Sequence, residues 1–163
     1  MEYRQDEVRA EKRLPKFDEI PDVGLFLEQT AKYLSKYTAL LNERPVTGSM
    51  ISNYVKKGLV ANPVKKQYGP EQIAVLLIIS LVKSVLLLEE IQFLLELAEE
   101  TGSVRETYHV FREELEEALH GAAEAERNDA DKTEARALMR STVFAVAQRA
   151  ALEEQFMQAR ANR

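Results

Sequence analysis

The sequence predicts an all-helical protein carrying one small β-hairpin, on three observations. Apolar residues recur at three- and four-residue spacings through most of the 163 residues, the period of a helix with one face in a core. Helix start and stop signals separate those stretches. Only the run between Gly58 and Gly69, LVANPVKKQY, mixes strand formers with an Asn-Pro turn signal. Composition agrees: 45% hydrophobic and 30% charged residues, with 6 Gly and 5 Pro, exclude disordered and collagen-like classes. The length suits roughly one folding unit of ordinary size.

In chain order, an N-terminal arm, residues 1–16, is expected to be flexible and carries mixed charge with no apolar stretch of the kind a signal peptide needs. Ile20-Pro21-Asp22 opens a helix over about 22–41, with Leu25, Leu27, Leu34, Tyr37, Leu40 and Leu41 on its apolar side, until Asn42 to Pro45 break it. Thr47 is the N-cap of a short second helix that Gly58 ends as a C′ residue. The hairpin follows, turning at Asn62-Pro63. Gly69-Pro70-Glu71 is an N-cap, a proline at the first helical position and a first-turn acid, and opens a third helix. Its near-continuous apolar run, Ile73 to Leu88, is interrupted by Ser80, Lys83 and Ser84 and is shorter than the roughly 20 apolar residues of a membrane span, so a buried core helix is expected. Further helices are read at about 88–100 and, behind the capping box Ser103 to Glu106, at about 103–124. The polar run AERNDADKT forms a loop, and a last helix over about 134–160 presents Leu138, Met139, Thr142, Val143, Val146, Ala150 and Phe156. Domain organisation is read as the arm, a helical domain over 17–100, and a C-terminal helical pair over 101–163 that mediates self-association.

The net charge of −5 argues at first against a polyanionic partner, but its distribution is uneven. Residues 44–70 hold five basic side chains, Arg44, Lys56, Lys57, Lys65 and Lys66, and no carboxylate, whereas residues 71–131 hold 15 carboxylates against four basic residues. Soluble surfaces ordinarily mix both signs, so the basic window implies an anionic partner. On the second helix, Ile51, Tyr54 and Val55 share one side while Ser49, Ser52, Asn53 and Lys56 share another. Serine and asparagine bond base edges or phosphates in a major groove, and lysine meets phosphate or guanine. Lys65 and Lys66 project from the hairpin beside this helix.

Residues 46–95 resemble the winged helix-turn-helix of MerR-type regulators, in Thr47, Ile51, Tyr54, Gly58-Leu59, Tyr68, Glu71 and Leu88-Glu89-Glu90-Ile91. A fuller match, through Leu14-Pro15-Lys16-Phe17, Ile20-Pro21, Ser49-Met50-Ile51 and Asn53-Tyr54-Val55-Lys56, is to the bacterial family designated domain of unknown function 1836, over roughly residues 14–100. The chain departs from the MerR pattern at Gly48, where a helix former or basic residue is usual, at Asn53, usually aromatic, and at Leu87, usually a serine cap. The resemblance implies a MerR-like winged helix and double-stranded DNA as partner. The residues expected to contact DNA are Arg44, Thr47, Ser49, Ser52, Asn53, Lys56, Lys57, Lys65 and Lys66.

Enzymatic motifs are absent from the sequence. Without cysteine there is no disulfide, thiolate nucleophile or cysteine-ligated zinc, which fits a cytoplasmic setting. His109 and His120, separated by about 16 Å of helix, cannot share one ion and are read as exposed. The glutamates at 113, 114, 116 and 117 form a solvated face, and Tyr3, Tyr33, Tyr37 and Tyr108 are read as core or interface residues rather than stacking platforms. The expectation is a non-enzymatic transcriptional regulator acting as a homodimer, with no cofactor, no metal and no membrane partner. The competing expectation is a protein-interaction module built on a winged-helix scaffold.

Overall fold

A computed structural model of the chain describes residues 13–128 and 133–163. Tyr3, most of the N-terminal arm and part of the loop before the last helix lie outside the described residues. The fold is mainly helical with one two-stranded antiparallel sheet. The strands are β1 (Leu25–Phe26) and β2 (Gln67–Tyr68), and the helices are α1 (Leu27–Thr38), α2 (Gly48–Lys56), α3 (Pro70–Val82), α4 (Leu88–Thr101), α5 (Val104–Asn128) and α6 (Glu134–Ala161). The chain divides into two compact units, residues 1–114 and 115–163. None of the helices in the described residues is long and apolar enough to cross a membrane.

The core of the first unit is α3, on which Ile73, Leu76, Leu77 and Ile79 are wholly buried, as are Leu34 of α1 and Ile51 of α2. Burying each such side chain contributes about 1.5–3 kcal/mol. Ser80 is buried with them and donates to the Leu76 carbonyl at 2.6 Å, which satisfies a hydroxyl that an apolar interior could not. Pro70 occupies the first turn of α3, where its missing N–H costs no helical bond, and Gln72 reaches back to accept the Gly69 N–H at 2.7 Å.

Two expectations are corrected. The first helix begins at Leu27, not residue 22, because Leu25 and Phe26 pair with Tyr68 and Gln67 as the β1–β2 sheet. Gly24 turns the chain into that strand at φ +78°, a conformation glycine adopts at no steric cost. The hairpin is also built differently: β2 finds its partner in β1, some forty residues upstream, rather than within the loop. Its turn is not Asn62-Pro63. Val64 and Gln67 face each other as a bridge, exchanging N–H to carbonyl bonds of 3.1 and 2.9 Å in the two directions, and Lys65 and Lys66 are the two central residues.

The segment Arg13 to Glu19 lies against the start of α5. Tyr108, fully buried, donates from its hydroxyl to the Pro15 carbonyl at 2.7 Å, and the Arg112 Nε donates to the Leu14 carbonyl at 3.3 Å. Arg105 stacks 4.3 Å over the Phe17 ring and pairs with Asp18 at 2.7 Å. Through these contacts the first turns of α5 belong to the first unit. At the head of α5 the expected capping box is present: the Ser103 N–H donates to Glu106 at 2.7 Å and the Glu106 N–H donates to the Ser103 hydroxyl at 3.3 Å. The Ser103 N–H and the Ser103 hydroxyl, which donates to the same carboxylate at 3.1 Å, hold the Glu106 carboxyl below its ordinary range.

In the second unit, α6 buries Phe156 and leaves Leu138, Met139, Val143, Phe144, Val146 and Met157 exposed. The apolar face read from the sequence is therefore an open one along most of its length.

Candidate nucleic-acid interface

α2 is fixed at both ends by local chemistry. The Thr47 hydroxyl accepts the Met50 N–H at 3.2 Å as N-cap. At the other end, Leu59 donates to the Tyr54 carbonyl and Gly58 to that of Val55, each at 3.0 Å, while Gly58 lies at φ +76°. That is a Schellman ending, in which the left-handed residue lets the chain leave the helix with its last carbonyls satisfied. The loop into α2 is tied to α1 through Ser35, whose hydroxyl accepts the Val46 N–H at 2.8 Å and donates to the Ala31 carbonyl at 2.8 Å. Gly48 packs closely on α1: a Cβ there would stand 3.2 Å from the Leu27 side chain and 2.6 Å from the Glu28 carboxylate.

The helix presents two faces. Ile51 and Tyr54 are buried, and burial pushes the Tyr54 phenol up. Ser49, Ser52, Asn53, Lys56 and Lys57 are exposed, as are Arg44 and Thr47 just ahead of the helix. None of Arg44, Lys56, Lys57, Lys65 or Lys66 pairs with a carboxylate among the described residues. Arginines outside this strip, such as Arg13 and Arg105, are paired with Glu19 and Asp18.

Lys65 and Lys66 hold φ values of +51° and +62°, the left-handed pair that a tight two-residue hairpin turn requires and that Asn-Gly ordinarily supplies. For a residue with a Cβ this conformation costs about 1–2 kcal/mol. Both side chains are exposed at the tip. The base of the turn is stapled to α3, because Gln72 donates from its amide to the Ala61 and Asn62 carbonyls at 2.9 and 2.8 Å while accepting from Gly69. Sequence reasoning missed this staple. Its only signal was a glutamine at the third position of a helix, ordinarily read as half of a capping box.

The chemistry available elsewhere is limited. His109 and His120 are exposed and pair with Glu113 at 3.2 Å and Glu124 at 3.3 Å, each one helical turn away. Among the described residues no group of three or more metal-ligating side chains is brought together. Tyr33 and Tyr37 meet edge to face at 5.2 Å, packed with each other on α1.

Residues 15–117 match the family described as domain of unknown function (DUF1836). The chain belongs to this family. The matched span runs beyond α4 into α5 and so takes in Tyr108, whose bond to Pro15 joins the two ends of the span. No curated protein and no solved structure matches the chain.

Proposed function

We propose that this member of the family is a sequence-specific, double-stranded-DNA-binding transcriptional regulator of winged helix-turn-helix type, working as a homodimer. The observation that carries the reading is the pairing of an exposed polar face on α2 with a two-lysine turn, inside 27 residues that hold five cations and no carboxylate.

In this reading α2 enters the major groove. Ser49, Ser52 and Asn53 read base edges, Thr47 caps the entering end, and Lys56 meets phosphate or guanine. Arg44, Lys57, Lys65 and Lys66 hold phosphates on either side. The left-handed lysines support the reading because backbone strain persists where function uses it; a turn selected for stability alone would carry Asn-Gly. A second copy covers the exposed stripe of α6, in which Met139, Val143, Val146 and Ala150 follow spacings of four, three and four residues, the repeat of a coiled-coil seam. Two copies present two recognition helices and require half-sites about one or two helical turns apart. The acidic remainder of the chain opposes long-range steering towards DNA, so dimerisation supplies much of the affinity.

The test is duplex binding as a function of salt. Selection from a random duplex pool should enrich one sequence, and the logarithm of affinity for it should fall with log salt at a slope of about −4.5 per subunit if five phosphates are contacted. A slope near zero with no enriched sequence sinks the reading.

A further inference from the structure

Away from the basic strip, the first unit holds a hollow of about 400 Å³ lined by side chains of α3, α4 and α5, with Ile78, Leu95, Ala98 and Phe111 among its apolar walls. A smaller hollow of about 130 Å³ shares Ile78, Leu95, Ala98 and Thr107 with it and reaches Ala61. The two adjoin at those shared side chains and together make up an apolar groove. Every charged side chain lining it is a glutamate: Glu71 on α3, Glu99 on α4, and Glu106 and Glu114 on α5. The last two stand eight residues apart, about 12 Å along the helix axis.

We propose that this groove docks an amphipathic helix of a partner protein, with its apolar face on Ile78, Leu95, Ala98 and Phe111 and its lysines or arginines on the rim glutamates. Charge complementarity identifies the occupant. A compact amine needs one counter-charge, whereas four carboxylates spread over three helices and along two adjoining hollows match a partner whose cations recur over two helical turns. An apolar floor with charge confined to its rim is also how interfaces are divided between burial and specificity. The proposal does not depend on DNA binding.

The probe is a fluorescein-labelled 18-residue peptide of leucine and lysine with its leucines on one helical face, titrated against the full chain without DNA and read by anisotropy. One peptide binds per chain, and a peptide with glutamate at every lysine position binds at least tenfold more weakly. Ala98→Trp, which fills the groove, and the rim pair Glu99→Lys with Glu114→Lys each weaken the lysine peptide at least tenfold. The rim pair changes only exposed side chains, so it reports on the groove even where the tryptophan disturbs packing. Reversal of Glu124 and Glu126, which are not among the residues lining the groove, changes binding less than twofold. The proposal is overturned if that control weakens binding as much as the rim pair, if the glutamate peptide binds equally well, or if hexylammonium displaces the lysine peptide at matching concentration, which would make the groove a small-amine pocket.

Discussion

The Tyr108 hydroxyl and the Pro15 carbonyl meet at 2.7 Å across 93 residues of chain, inside a fully buried contact. This bond seats the Leu14-Pro15-Lys16-Phe17 segment on α5 and explains why a motif near the N-terminus belongs to the same unit as a helix beginning at Val104. Replacing Tyr108 by Phe leaves a buried carbonyl without its donor, and is expected to cost about 1–3 kcal/mol. Denaturant unfolding of Tyr108→Phe beside the parent chain measures it, and an unchanged midpoint would show that the bond adds nothing.

The Lys65-Lys66 turn sets stability against the proposed binding. Changing Lys65-Lys66 to Asn-Gly removes left-handed strain at the glycine, eases it at the asparagine, and should stabilise the chain by about 1–2 kcal/mol. The same change removes the two phosphate contacts proposed for these lysines, so the salt slope for duplex binding should become shallower by about 1.8 per subunit. Thermal unfolding and anisotropy titrations on one variant read both effects, which are expected to run in opposite directions.

Gly58 separates conformational strain from crowding. A Cβ there meets nothing within 4 Å, yet the residue lies at φ +76°. Gly58→Ala is therefore expected to destabilise by about 1 kcal/mol although the space is open. A neutral substitution, seen as coincident urea curves, would mean that the α2 ending tolerates another geometry.

The stripe on α6 predicts an assembly. Met139 and Val146 are each 65% exposed, and Met139→Glu with Val146→Glu should convert a dimer to a monomer in sedimentation equilibrium while leaving helix content unchanged. Duplex affinity should fall in the same variant, because paired sites lose their effective concentration. Retention of the dimer would place the interface elsewhere.

The pairing of Arg13 with Glu19 predicts a pH response of fixed sign. The guanidinium, at 2.7 and 2.9 Å, and the Lys16 N–H, at 2.8 Å, hold the Glu19 carboxyl at about 2 against an ordinary value of 4.5. A depressed carboxyl contributes stability that is present above 4.5 and is lost as pH falls from there towards 2. Carboxyl resonances of Glu19 followed by NMR in the folded chain should titrate with a midpoint at about 2, and Arg13→Ala should move that midpoint up towards the ordinary value.

What could be read ahead of the structure was local. Thr47, Gly58, Gly69-Pro70 and the Ser103 to Glu106 box mark helix ends through bonds that span three to five residues, so their residue types alone carry the information. The polar face of α2 was legible for the same reason, since helical period fixes which side chains share a side. The first helix starts later than its sequence reading because Ile20-Pro21-Asp22 is a conventional helix start signal, and two residues of strand carry no period of their own. The turn was misplaced because Asn62-Pro63 is the conventional punctuation, while Lys65 and Lys66 have no intrinsic preference for φ above zero.

The sequence by itself determined the helical class, the caps, the buried identity of α3 and the segregation of five cations from the acidic remainder, because each follows from residue type and short spacing. Tertiary structure alone decided that β2 pairs with β1, that Gln72 ties Ala61 and Asn62 to α3, and that Tyr108 reaches Pro15. Those contacts join residues ten to ninety-three positions apart, where closing the intervening chain is compensated only by the packing of the whole core, and no local pattern encodes that sum.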